Sequence, residues 1–160
     1  MENEDKKAPA IGGWLILIAI GIVFTPIKVL ILMMTTYSGI FLSEAWGALT
    51  TQGSDAYNPL WAPIIIGEML FNGVIFFAYL YMAYLFFCKK SAFPKWYISV
   101  AVLSLIFIVA DAFSLKLVIP DEPAFDSDTL KEFLRSLFIV VVWVPYMLIS
   151  TRVKATFINE

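Results

Sequence analysis

Residues 14–37 read WLILIAIGIVFTPIKVLILMMTTY, and this stretch decides the class of protein. About 20 apolar residues are enough for a helix to cross a bilayer, and a single charge, Lys28, interrupts this run. Three further stretches have the same character, at residues 62–87, 96–119 and 134–150. The first stretch is longer than the apolar part of a signal peptide and has no cleavage pattern after it. The sequence therefore predicts an all-α membrane protein with four retained spans.

The composition of the whole chain agrees with that class. Hydrophobic residues make up 61% of the 160 residues and charged residues 15%, whereas soluble domains have about 45–50% and about 25%. A soluble domain of this size cannot bury so much apolar surface, and a disordered chain would not contain it. The 11 Lys and Arg are scattered and are balanced by 13 Asp and Glu, which excludes a basic face for nucleic acid.

The residue types also restrict the chemistry. The chain has no His and one cysteine, Cys88, so we expect no disulfide within the chain, no metal site and no cofactor. We interpret Cys88 as a small apolar residue at the membrane edge. No phosphate-binding glycine loop and no nucleophile motif occurs. We therefore expect a protein that is not an enzyme.

The connections predict a single domain, residues 1–160, folded as an up-down-up-down four-helix transmembrane bundle. One set of connections is basic, with Lys6 and Lys7 before the first span, three lysines in residues 88–95, and Arg152 and Lys154 after the last span. The other set, residues 38–61 and 120–133, is acidic and contains only Lys131. Since positive loops stay in the cytoplasm, we expect both termini on the cytoplasmic side of a bacterial inner membrane.

The outer connection at residues 38–61 is too long for a turn and too apolar for a free loop. Its apolar residues predict a short amphipathic helix, which would either lie at the headgroups or cover the bundle as a lid. At the start of the fourth helix, Thr129 followed three residues later by Glu132 predicts a capping box. Arg152 and Lys154 predict an anchor to anionic headgroups, and a docking motif for a cytoplasmic partner is the alternative.

Polar residues inside the spans define the candidate site. With a rise of 1.5 Å per residue, they fall roughly 21–28 Å above the cytoplasmic ends of their helices, in the outer third of the membrane. The five candidates are Lys28, Glu68, Asn72, Asp111 and Arg135. Two additional candidates are Lys116, one to two turns above Asp111, and Tyr146, which shares a stripe of the fourth helix with Arg135.

Two interpretations of these residues stay open. They could form a neutral network of ion pairs, Lys28 and Arg135 with Glu68 and Asp111, that only fixes the helix register. They could instead line an outward-facing polar cavity that binds or helps transport a small solute, an ion or a lipid, since ionisable residues inside membranes commonly mark such sites. An accessory or scaffold subunit of a membrane complex is the alternative function. Expected partners are membrane lipids and a homo-oligomer or another membrane protein.

Three short segments together resemble a known family. They are GGWL at residues 12–15, YNPLW at residues 57–61, and WVPY at residues 143–146 followed by RVKATF at residues 152–157. This pattern resembles a bacterial family of small four-span inner-membrane proteins catalogued as a domain of unknown function. The resemblance implies a four-helix inner-membrane protein and brings no activity with it. Where the family often has His, this chain has Asn58, so a role for that His cannot operate here.

Overall fold

The structure, a computed structural model, describes residues 9–160, so Lys6 and Lys7 lie outside the described residues. The regular secondary structure of this range is helical, and the described residues form no strand. The helices are α1 (Leu15–Leu32), α2 (Ser38–Phe41), α3 (Ala45–Thr50), α4 (Trp61–Phe87), α5 (Phe93–Val118), α6 (Ser127–Ile149) and α7 (Thr151–Thr156), with a π-helical segment at Met33–Tyr37.

Four helical rods are long and apolar enough to cross a membrane. They are Leu15–Phe41, which joins α1, the π-helical segment and α2, and the helices α4, α5 and α6. Their exposed faces carry Leu, Ile, Val and Phe side chains, as helices in contact with lipid do. The prediction of an all-α four-helix transmembrane bundle is confirmed.

The rods pack in chain order, α1 against α4, α4 against α5, and α5 against α6. Contact between α1 and α6, the two outer members of this series, is weak. On α1 the side chains that face the neighbouring helices recur every three or four residues, at Leu15, Ile18, Ile22 and Pro26. This spacing is the helical repeat of one face, so α1 contributes one stripe to the core.

The start of α6 differs from the predicted capping box. Asp126 is the N-cap residue, and its Oδ1 atom accepts a hydrogen bond from the backbone N–H of Thr129 at 2.8 Å. The cap therefore lies three residues before Thr129, because Asp is a strong N-cap and satisfies the free N–H groups of the first turn. As a result the helix begins three residues earlier than predicted, and Glu132 lies in its second turn.

Part of the connection predicted at residues 38–61 is helical. The first rod continues to Phe41, and α3 follows after a three-residue bend, with the rings of Phe41 and Trp46 4.7 Å apart. Asn58 occupies the position where the family often has His. Its Oδ1 atom accepts a hydrogen bond from the backbone N–H of Leu60 at 3.0 Å, a turn that precedes α4.

The bundle has two ends of different character. We call the termini end the one formed by residues 9–14, 88–92 and 150–160, and the loop end the one formed by residues 42–60 and 119–126. At the termini end, residues 150–159 fold back over the turn between α4 and α5, an arrangement that we call the C-terminal clasp. Phe157 packs against Phe93 at 4.5 Å and against Phe86 at 5.5 Å between ring centroids.

The clasp also pairs with the turn through the backbone. Asn159 accepts a hydrogen bond from the N–H of Ser91 at 2.8 Å and donates its own N–H to Lys89 at 3.1 Å. Its side-chain amide donates to the carbonyl of Cys88 at 2.8 Å. Lys89 has a positive φ of 51°, a conformation that costs energy in a residue with a side chain. The bonds from Asn159 help to hold it there.

Candidate functional site

The centre of the candidate site is a contact between the first rod and α4. Tyr37, in the π-helical segment, is 5% exposed. Its hydroxyl oxygen accepts a hydrogen bond from Nδ2 of Asn72 at 2.9 Å. Glu68 lies one turn from Asn72 on the same face of α4 and interacts with the same hydroxyl. The predicted pair Glu68 and Asn72 is therefore brought together, with Tyr37 as a third member.

Two carboxyl groups from other helices complete the group. Asp111 on α5 is half-buried and close enough to Glu68 for their charges to interact. Glu132 on α6 is exposed and interacts with both. We call Tyr37, Glu68, Asn72, Asp111 and Glu132 the loop-end cluster. At 1.5 Å per residue, its three carboxyl-bearing residues lie about 25–28 Å from the termini end of their helices.

The predicted cations do not join this cluster. Lys28 and Arg135 lie on exposed faces of α1 and α6. Among residues 9–160, one pair of oppositely charged side chains lies within 4 Å: Lys131 Nζ and Asp128 Oδ1 are 2.8 Å apart. The structure thus differs from the expected neutral network of Lys28 and Arg135 with Glu68 and Asp111. Long cationic side chains on a lipid-facing surface can extend toward the headgroups instead of the bundle interior.

Lys116 has a different set of partners. Its Nζ atom donates hydrogen bonds to the backbone carbonyls of Pro120 and Glu122, which follow the end of α5. It lines a cavity of about 240 Å³ at the loop end, together with Glu122, Asp126 and Thr129. Through its two hydrogen bonds, Lys116 stabilises the end of α5 and the loop that follows it.

Asp126 lies at the same cavity. The side-chain and backbone hydrogen bonds from Thr129 lower the pKa of its carboxyl group below the usual range.

Tyr146 lies at the opposite end of the bundle. Its ring packs edge-on against Trp143, with 5.8 Å between centroids. Tyr146 is 11 positions after Arg135, which corresponds to about 16 Å along the helix axis. Tyr146 therefore shares a helix with Arg135 but not a site.

Sequence reasoning missed two members of the loop-end cluster. Tyr37 was assigned to the end of the first span, although it is in step with the core stripe of α1. The predicted fourth span begins at residue 134, so Glu132 falls outside it, in the first turn of the predicted helix. An Asp three residues before a Thr at a helix start was the signal that would have placed Glu132 at the level of Asp111.

The loop-end cluster offers oxygen atoms and one amide to a ligand. Carboxylates attract cations, and the hydroxyl of Tyr37 and the amide of Asn72 can each donate a hydrogen bond. In the described part of the chain, no three acidic or cysteine side chains are grouped closely enough to hold a metal ion. The chemistry that this arrangement supports is binding of a proton or of a small positively charged group.

The segments that carry the family resemblance meet mostly at the termini end. Gly13 has a positive φ of 59°, and Arg152 lies so close to Gly12 that a Cβ there would be 2.6 Å from its Nη2 atom. Trp14 packs edge-on against Trp143, with 6.2 Å between ring centroids. The segments at residues 12–15, 143–146 and 152–157 thus form one packed unit. In the last of these, Val153, Thr156 and Phe157 are buried while Arg152 and Lys154 are exposed.

Four long apolar helices and the polar cluster between them define a multi-pass integral membrane protein. Over residues 8–158 the chain matches the model of a family described as protein of unknown function, DUF2569. The chain belongs to this family, as its resemblance predicted. No protein of curated function and no solved structure matches it.

Proposed function

We propose that this protein binds a small cation, the proton being the smallest, at the loop-end cluster and helps to move it across the membrane. The observation that carries the proposal is the arrangement of Glu68, Asp111 and Glu132. They come from three helices and lie at one level, and among residues 9–160 no cationic side chain lies within 4 Å of them. Carboxyl groups that repel one another in a medium of low dielectric constant favour the uptake of a positive charge.

The proposal includes an orientation, with the loop end outside the cell and both termini in the cytoplasm of a bacterial inner membrane. The support is the charge of the two ends. Five basic residues lie at or near the termini end, namely Lys89, Lys90, Lys95, Arg152 and Lys154. The connections at the loop end are predominantly acidic. By the positive-inside rule, the basic end faces the cytoplasm.

Lipid binding belongs to a different surface in this proposal. Lys28 and Arg135 are exposed on the outside of the bundle at about 20 Å from the termini end of their helices. From there their side chains can reach toward the phosphates of the outer leaflet. A lipid headgroup is therefore a ligand for the outer surface, and the cluster interior is left for the cation.

The test is proton flux into liposomes that contain the purified protein and an entrapped pH-sensitive dye. We expect Glu68→Gln and Asp111→Asn each to reduce the flux about a hundredfold, the lower limit for the loss of one proton-transfer group. The matched control is Asp121→Asn, an exposed carboxyl in the loop after α5, which should leave the flux unchanged. No flux with the parent protein, or equal flux with all three variants, would overturn the proposal.

The second candidate function is a non-catalytic scaffold or accessory subunit. The observation in its favour is that only 6% of the apolar window of α6 is buried within the chain. An exposed helix face can pack against a second copy or another membrane protein. Cysteine cross-linking through Phe138→Cys in a Cys88→Ser background distinguishes the two functions. Specific cross-linked species in native membranes, without proton flux, would favour the scaffold.

A further inference from the structure

A second cavity lies at the other half of the bundle, away from the loop-end cluster. It has a volume of about 100 Å³, and all four spanning helices contribute to its wall. The residues that matter for the argument are Gly21 and Thr25 on α1, Tyr79 on α4, Tyr97 on α5, and Ile139 and Trp143 on α6. We call it the aromatic cavity.

The two sites are well separated. Gly21 is six residues from the start of α1, about 9 Å along the axis, whereas Glu68 is about 28 Å from the same end of the bundle. None of the residues of the loop-end cluster lines the aromatic cavity. An inference about this cavity therefore does not depend on the proposed function.

Two features favour an opening of the cavity toward the lipid, between α1 and α6. These two helices make only weak contact, and Gly21, which lines the cavity, is exposed. A Cβ atom at Gly21 would meet nothing within 4 Å. A molecule dissolved in the membrane can thus enter from the lipid without passing through water.

The wall combines flat rings with hydroxyl groups. Three aromatic rings, those of Tyr79, Tyr97 and Trp143, surround the space. The hydroxyl of Tyr79 interacts with the side chain of Thr25 and with Tyr97. Each hydroxyl can both donate and accept, so this group keeps hydrogen-bonding capacity toward a ligand. A saturated acyl chain cannot form hydrogen bonds with these hydroxyls. A ring that carries an oxygen can stack on the aromatic side chains and also bond to the hydroxyls.

The volume limits a ligand to a single ring. An apolar protein cavity of about 150 Å³ binds benzene, and the aromatic cavity, at about 100 Å³, is smaller, so part of a bound ring would lie in the opening. We propose that the aromatic cavity is a binding site for a small lipid-soluble molecule whose single ring carries a hydrogen-bonding oxygen, such as a phenol or a quinone headgroup. The ring would stack among the three aromatic side chains, and its oxygen would bond to the hydroxyls of Thr25 and Tyr79.

The test uses 4-bromophenol, a ring of this kind whose bromine quenches tryptophan fluorescence. The full chain is placed in nanodiscs with Trp143 as its single tryptophan, the other four being replaced by phenylalanine. We expect saturable quenching that Gly21→Leu reduces at least about fivefold in affinity, because the added side chain fills the opening. The matched control is Gly67→Leu, another position where a Cβ meets nothing within 4 Å and which does not line the cavity.

Two further measurements keep the result interpretable. Titration calorimetry of 4-bromophenol with the unmodified chain and its Gly21→Leu variant repeats the test without the tryptophan substitutions. Bromobenzene, which lacks the hydroxyl, should bind at least about threefold more weakly than 4-bromophenol, and Thr25→Val should remove this difference. Quenching that does not depend on Gly21 would overturn the proposal. Quenching by brominated acyl chains of the nanodisc lipid that Gly21→Leu removes, without a 4-bromophenol effect, would also overturn it and assign the cavity to lipid.

Discussion

The termini end and the loop end are built on the same four helices but are held together by different interactions. At the termini end, the rings of Phe86, Phe93 and Phe157 and the backbone bonds of Asn159 join three separate parts of the chain. At the loop end, ring contacts also join α5 to α6, but the contact between the first rod and α4 is polar: Asn72 donates a hydrogen bond to Tyr37 beside carboxyl groups that repel one another. We therefore expect substitutions in the ring cluster of the termini end to cost more stability than substitutions at this polar contact.

The largest effect on this comparison is expected from the clasp. Phe157→Ala removes a ring that is 5% exposed and packs on two others, so we expect the free energy of unfolding to fall by about 3–5 kcal/mol. Thermal unfolding in detergent measures it. Ile158→Ala, at a side chain that is 41% exposed, is the control and should change little. Similar losses for both variants would show that the clasp is not packed as described.

A smaller effect is expected from the hydrogen bond at the loop end. Tyr37→Phe removes the acceptor of the Asn72 amide, and polar pairs between membrane helices contribute about 0.6 kcal/mol on average. A double-mutant cycle with Asn72→Leu should give a coupling energy of that size. Tyr84→Phe, at an exposed tyrosine of α4, provides the baseline for loss of a hydroxyl. A coupling energy near zero would show that this hydrogen bond does not stabilise the loop end.

The smallest effect concerns the cap of α6. Hydrogen bonds from Thr129 lower the pKa of Asp126 in the folded protein. The stabilisation that the charged Asp126 cap gives the fold is therefore fully present at pH values above the usual Asp pKa. It is lost as the pH falls from about 4 through the lowered value. Asp126→Asn keeps a capping oxygen without the charge. Circular dichroism melts should show a small deficit for this variant at pH 6 that shrinks progressively as the pH falls below about 4. Asp121→Asn should show no such deficit, and a pH-independent difference would contradict the prediction.

The sequence predicts the four spans because a helix of about 20 consecutive apolar residues is long enough to cross the bilayer and is stable there. It also predicts the common depth of Glu68, Asn72 and Asp111, since the helical rise depends on the backbone alone. It does not predict the direction in which each side chain points. Helices that are apolar on every side carry little information about their rotation, and for this reason Lys28 and Arg135 were expected inside but lie on exposed faces.

The C-terminal clasp was missed for a related reason. Arg152 and Lys154 predict a charged anchor, and this prediction takes no account of the apolar residues between and after them. Val153 and Phe157 are four residues apart, a spacing that places both on one face of a short helix. That face is the one that packs on the turn between α4 and α5. The exposed charges and the buried pair are both present in the same six residues.

The backbone bonds of Asn159 have a consequence for biogenesis. All four spans leave the ribosome before residue 159 does, so they can enter the bilayer while the Lys89 turn still lacks these partners. Closure of this end is therefore expected to follow insertion, and until then Phe86 and Phe93, which flank the turn, are not covered by Phe157. A chain halted at that stage would present them to chaperones and proteases, which act on apolar surface of this kind.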